Sequence, residues 1–175
     1  MKLKIAILTT TLFFITSTIF AQTVMKEYKA GHVFDVSLPD YMSKTTGLND
    51  AASIQFKNSV KDIAGFIIFD TKEELEFANM KFSSVNEFYD LFIKDFLEGQ
   101  KSREISQPTV HTLGQNKYVE CDASYFDEES KLSIYYYVGI VETKNAYYKL
   151  LCYGGMDSKE KYKADFQKIL YSIKD

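Results

Sequence analysis

The sequence predicts an α+β fold, an antiparallel β-sheet with helices packed on it. Three observations lead there. Short apolar runs are joined by tight polar turns rather than by long crossovers, two segments switch to helical periodicity, and the order is strands, helix, strands, helix.

The first strand is HVFDVSLPDYM, in which Phe34, Val36 and Leu38 alternate with Asp35 and Ser37 until Pro39 ends the run. AASIQFKN and AGFIIFDTK follow, two apolar runs separated by Ser59 to Ile63, the pattern of a hairpin. In SSVNEFYDLFIKDFLEGQ the period changes. Val85, Phe88, Tyr89, Phe92, Ile93, Phe96 and Leu97 recur at helical spacing, Ser84 with Glu87 reads as a capping box, and Gly99 supplies the stop. A surface helix must bury one face to be stable, so this aromatic stripe reads as core rather than as a cofactor site. A short strand over Thr109 to Leu113 comes next, then Lys117 to Phe126, Leu132 to Val141 and Ala146 to Tyr153, with DEES and ETKN as the turns of a meander. The closing MDSKEKYKADFQKILYSIK places Tyr162, Phe166, Ile169, Leu170 and Ile173 on one helical stripe, with Asp157 or Ser158 as the cap.

Residues 1–21 carry Lys2 and Lys4, an apolar run from Ile5 to Phe20 and Ala21, the pattern of a secretory signal peptide cleaved after Ala21. The run is shorter and richer in hydroxyls than the ~20 residues that span a bilayer. Cleavage leaves residues 22–175 as a single domain that is soluble in the periplasm or exterior, with no further transmembrane segment. Loss of the two lysines leaves 19 basic against 24 acidic groups, a net charge near −5. That sign disfavours nucleic acid as a partner. Cys121 and Cys152 fall on the outer two of three successive strands. Two strand steps separate Cα atoms by about 9–10 Å, beyond the roughly 7 Å that a disulfide tolerates, so two free buried thiols are expected.

Chemistry-bearing motifs are absent. His32 and His111 lack neighbouring ligands, and Asp127, Glu128 and Glu129 lack the calcium-loop pattern, so no metal is expected. Neither a G-x-S-x-G elbow nor a phosphate-binding glycine loop occurs; Gly154 and Gly155 precede Asp157 and Glu160, which would repel an anion. Cys152 has no base close in sequence. The sequence therefore names no catalytic residue and no cofactor.

FDVSLPDYM, the paired strands AASIQFKN and AGFIIFDTK, the middle helix, the tyrosine-rich meander and FQKILYSIK together resemble the PsbP-like superfamily over residues 28–174. The last segment is similar to that family's closing F-x-x-I-x-x-S-F, with Ile173 in place of Phe. The resemblance implies an α-β-α sandwich and members that bind rather than catalyse. It points to a non-enzymatic binding or accessory protein acting through a protein or envelope partner. The alternative is a binder of a small hydrophobic ligand or hydrophobic peptide segment, suggested by 14 Phe and 13 Tyr. A hydrolase with a dispersed site is a third reading.

Within the meander, Ile134, Tyr136, Val138 and Ile140 share one face with Val119, Cys121 and Ala123, while Glu120, Asp122 and Ser124 lie outside. At ETKN, a connection of two or four residues turns Lys149 inward, whereas three residues, Thr143 to Asn145, turn Tyr148, Leu150 and Cys152 inward. The latter is preferred, with Asn145 in the left-handed position. That places Tyr135, Tyr137, Tyr147 and Tyr153 together on the opposite face. These four are the sequence's candidate ligand or partner surface, unless a helix covers them, as a sandwich implies.

Overall fold

The computed structural model describes residues 23–31 and 33–175; the signal peptide read over residues 1–21 and His32 lie outside the described residues. The elements in chain order are β1 (Met25–Ala30), β2 (Phe34–Pro39), β3 (Ser43–Thr45), β4 (Ile54–Asn58), β5 (Ile63–Thr71), α1 (Lys72–Phe77) and α2 (Val85–Asp95). They continue with β6 (Lys101–Ile105), β7 (Thr109–Leu113), β8 (Asn116–Asp127), β9 (Leu132–Glu142), β10 (Ala146–Gly155) and α3 (Ser158–Tyr171). The fold class is α+β, as the alternation of periods predicts. Elements β1, β3, α1 and β6 are additions, each short or polar enough to leave no periodic signal.

One antiparallel sheet runs β3-β4-β5-β10-β9-β8-β6, and β7 pairs the part of the long β8 that β6 leaves free. Strands β1 and β2 form a separate hairpin. It packs with α3 on one face, where Phe34, Val36 and Leu38 meet Phe166, Ile169, Leu170 and Ile173. A pair of backbone hydrogen bonds between Asp35 and Lys174, of 2.8 and 3.0 Å, ties the chain's end to this hairpin. The other face carries α2, whose Val85, Phe88 and Tyr89 meet Val119, Cys121, Val138, Ile140 and Leu151. Alternate residues of each central strand thus feed two cores, and both faces are covered.

The helix ends differ in detail from the sequence reading. Ser84 Oγ accepts from Glu87 N at 3.3 Å, but the Glu87 carboxylate returns to Ser83 N and Oγ, so the capping box at Ser84 is only half made. A complete box forms instead at Thr71 and Glu74, at the start of α1. Helix α2 stops at Asp95, and the Arg103 guanidinium of β6 donates to the carbonyls of Ile93 and Phe96 at 2.7 and 2.8 Å. A cation there satisfies carbonyls that have no partner within the helix. In α3, Asp157 is the N-cap residue but makes no capping hydrogen bond; its carboxylate pairs with Lys161.

The β9–β10 connection corrects the preferred register. Glu142 pairs with Tyr147 and Val141 with Tyr148, while Thr143 N donates to Ala146 O at 3.0 Å, so only Lys144 and Asn145 lie beyond the last pair. Asn145 is not left-handed. Thr143 Oγ1 accepts from the amides of Asn145 (3.3 Å) and Ala146 (3.1 Å), which holds the turn without a positive φ. Lys149 therefore does turn inward beneath α2. The fold accommodates it because Asp70 Oδ2 lies 2.7 Å from its ammonium, which also sits over the rings of Phe88 and Phe92 at 5.4 and 5.9 Å.

Both cysteines are free and buried, as expected. They also point to opposite faces, since Cys121 pairs with Val138 in one core and Cys152 with Tyr137 in the other.

Gly139 lies under α3, where a Cβ would stand 2.7 Å from Leu170 Cδ2. Gly139→Ala is expected to lower stability by about 1–3 kcal/mol through overpacking. Chemical denaturation of Gly139→Ala, Leu170→Ala and the double variant should show a non-additive cost, the signature of a direct clash.

Candidate functional site

The side chains of β8 decide where polar chemistry sits. Glu120 and Asp122 alternate with the apolar Val119, Cys121 and Ala123, and were expected outside the core. Because α3 covers that face, Glu120 is instead only 6% exposed. A buried carboxylate must be paired or hydrogen-bonded, and this one is. Tyr137 OH donates to Oε2 at 2.7 Å, Gln167 Nε2 to the same oxygen at 2.8 Å, and Tyr171 OH to Oε1. His111 Nε2 approaches Oε1 at 3.5 Å, its ring stacked on Tyr118 with 5.2 Å between centroids. Next along the strand, Asp122 accepts from Tyr135 OH at 2.8 Å and from Lys163 Nζ at 2.9 Å, with Lys159 Nζ 3.1 Å away.

This arrangement satisfies both carboxylates from within the fold. Each carboxylate oxygen of Glu120 already has a donor, which leaves little capacity for a substrate proton or a cation. Burial pushes the Tyr137 phenol far up, and the adjoining Glu120 charge and hydrogen bond push it further, so it stays a neutral donor. Burial also pushes the Asp122 carboxyl up. Its bonds from Lys163, Tyr135 and Lys159 more than offset this and hold it below the ordinary carboxylate range. Burial alone raises the Cys152 thiol well above its usual value, and burial is the largest influence raising Cys121. Neither is poised as a thiolate nucleophile. Among the described residues no cluster of His, Cys, Asp or Glu is arranged to hold a metal ion. A groove of about 470 Å³ runs over this network between β7 and α3, lined by His111, Glu120, Asp122, Lys163 and Tyr171.

The two-residue turn splits the four tyrosines singled out from the sequence. Tyr135 and Tyr137 lie on the α3 face at 1% and 0% exposure, where their hydroxyls serve Asp122 and Glu120. Tyr147 lies on the α2 face, buried and stacked on Phe88 with 4.3 Å between centroids and 9° between planes. Of the four, Tyr153 alone is half-buried rather than buried.

It has different companions from those expected. On the α2 face Tyr153 stacks on Tyr136 at 5.1 Å and 29°, and Tyr136 is followed by Tyr125 at 6.3 Å and 31°. Phe96, just past the end of α2, meets Tyr136 edge-on at 5.3 Å. The three rings form a row across β8, β9 and β10 where the helix stops, all three half-buried. None of their hydroxyls has a hydrogen-bond partner among the described residues, in contrast to Tyr41, Tyr135, Tyr137 and Tyr171. Beside Tyr153 a groove of about 350 Å³ opens over Ala64 and Ile134, rimmed by Lys57, Ser59 and Asp62. Sequence reasoning missed Tyr125 and Tyr136 because an odd-length turn at residues 143–145 puts Tyr153 on the far side. The signal that would have found them is Thr143, whose hydroxyl holds the shorter turn.

This sheet, with α2 on one face and α3 with a hairpin on the other, is an antiparallel α-β-α sandwich, and its likeness to solved structures is clear. The structure matches cyanobacterial PsbP (CyanoP) from Synechocystis sp. PCC 6803 with a TM-score of 0.61 at 10% identity, covering 87% of this chain and 92% of that one. It matches LpqN of Mycobacterium tuberculosis, described as involved in cell envelope biogenesis, with a TM-score of 0.50 at 12% identity, covering 86% and 92%. A structure from Bacteroides thetaiotaomicron VPI-5482 matches with a TM-score of 0.54 at 10% identity, covering 85% of this chain but 47% of that longer one. No protein-family model matches the chain, nor does any curated protein. The fold is PsbP-like, as the sequence resemblance implied.

Two outcomes test the polar network. Tyr137→Phe should cost about 1 kcal/mol, since Glu120 keeps its other donors, whereas Glu120→Ala strands the buried Tyr137 hydroxyl and should cost about 2–4 kcal/mol in urea unfolding. For Asp122 the folded-state carboxyl lies below its unfolded value. Its contribution is therefore present above the unfolded pKa of about 3.9 and is lost as the pH falls from there through the folded value. Asp122→Asn should flatten the acid side of the stability curve below about pH 4.

Proposed function

We propose that this chain is a non-enzymatic binding or accessory protein, working outside the cytoplasm through a protein or envelope partner, with the face around Tyr153 as its contact surface. One observation carries the reading. Potentially reactive side chains are consumed inside the fold, Glu120 and Asp122 by internal donors and both thiols by burial, while the Tyr125, Tyr136 and Tyr153 hydroxyls are left unpartnered at a half-open site. Tyrosine suits such a surface, because it brings a large apolar body and a polar tip at small entropic cost. Export is supported by the charged start and apolar run of residues 1–21. No described helix is long and apolar enough to cross a membrane. LpqN, whose fold is shared, is involved in cell envelope biogenesis, which fits an envelope partner.

A second reading, binding of a small hydrophobic ligand or hydrophobic peptide segment, is favoured by a separate cavity of about 250 Å³ beside α1, where Leu75, Met80, Phe82 and Tyr147 supply the apolar lining. Leu75→Glu would introduce a charge there and should abolish any ligand-induced rise in Tm.

The principal test is affinity capture from the native envelope with the wild-type chain and Tyr153→Ala. Tyr153 is half-buried at the end of the row, so the variant should lose about 1–2 kcal/mol with its stack on Tyr136 yet remain folded, and should recover about tenfold less partner, as loss of an aromatic anchor does. Equal recovery by the two proteins would count against this face.

A further inference from the structure

We infer that the groove beside Tyr153 is a carbohydrate subsite that takes one ring of a neutral glycan. This rests on the reading of the Tyr153 face as the binding surface and assigns it a ligand class.

The geometry comes from the sheet register. Tyr153 pairs with Ala64 and Ala64 with Lys57, so these three side chains follow one another across β10, β5 and β4 on the α2 face. The row of rings Tyr125, Tyr136 and Tyr153 continues toward this position and stops, because the next residue, Ala64, is a single methyl group. Strands are about 4.8 Å apart, so the backbones carrying Tyr153 and Lys57 are separated by about 10 Å. A ring standing on Ala64, with about 3.5–4 Å to each neighbour, fills that gap. One face of Tyr153 is occupied by Tyr136, and Tyr153 lines the groove together with Ala64 and Lys57.

The rim selects the chemistry. Lys57, Ser59 and Asp62 are exposed, and among the described residues their side chains make no hydrogen bond or ion pair. They supply one cation, one anion and a hydroxyl, so the rim as a whole favours neither a net cationic nor a net anionic ligand. A neutral polyol uses all three, since each sugar hydroxyl both donates and accepts. A pyranose also presents a face of C–H groups, which rests on the π-surface of an aromatic ring through weak C–H contacts. The ring of an aromatic peptide side chain would fill the gap but carries no hydroxyls for Lys57, Ser59 or Asp62.

The test uses the mature chain, with cellotetraose, maltotetraose and chitotetraose as probes and an N-acetylated diphenylalanine amide, which carries no charge, as the competitor from the other ligand class. Saturation-transfer NMR and calorimetric titration should show at least one sugar binding with a Kd on the order of 1 mM or tighter. Asp62→Asn should weaken that binding about fivefold without altering Tm, because Asp62 is exposed and Asn tolerates its φ of 50°. Tyr153→Ala should weaken it about tenfold. The inference is overturned if none of the three sugars gives saturation transfer, if Asp62→Asn and Tyr153→Ala leave binding unchanged, or if the aromatic amide displaces the sugar and binds more tightly. Tyr153-dependent partner capture without sugar binding would overturn the glycan assignment and leave the contact surface standing. Sugar binding with capture unaffected by Tyr153→Ala would sustain the assignment and overturn the partner reading.

Discussion

The turn at Thr143 governs the arrangement of the whole molecule. Side chains of a strand alternate with period two, so one residue more or less in the β9–β10 connection would exchange every side chain of β10 between the two cores. Thr143 Oγ1, by accepting from two successive amides, settles the shorter turn. Tyr148, Leu150 and Cys152 then face α3 and the β1–β2 hairpin, while Tyr147, Lys149, Leu151 and Tyr153 face α2. A turn that places Lys149 under a helix is tolerable only with compensation. Asp70 and the faces of Phe88 and Phe92 provide it together.

The two cores are built differently. The α2 side is mainly aliphatic and aromatic, with the Lys149–Asp70 and Lys72–Glu142 pairs among its polar groups. The α3 side holds Glu120 and Asp122, whose donors come from β9 through Tyr135 and Tyr137 and from α3 through Lys163, Gln167 and Tyr171. Each bond adds little net stability, but losing one partner exposes the full desolvation cost of the other, so the network fixes how α3 sits on the sheet.

Helix α2 ends where Arg103 takes up its last carbonyls, and Phe96 turns out of the helix onto Tyr136. The sheet beyond carries the row of Tyr125, Tyr136 and Tyr153, with Phe96 against Tyr136. A row of rings in mutual contact is stiff, so it offers a prearranged surface with little entropy to lose on binding. Lys57, Ser59 and Asp62 rim the groove beside it.

The sequence by itself determined the fold class, the meander, the two long helices, two free buried thiols and the sorting of β8 against β9, because these follow from local periodicity and strand spacing. It was silent on β1, β3, α1 and β6, too short or polar to carry a period. Only the tertiary structure decided which tyrosines share a face and which polar residues are buried. Glu120 and Asp122 read as outward-facing in an alternating strand, and only α3, folding back from the far end of the chain, makes that side an interior. Tyr125, Tyr136 and Tyr153 come together through a register set by one threonine hydroxyl. A turn one residue longer would have satisfied the same hydrophobic pattern, since both faces of β10 are apolar enough to be buried either way.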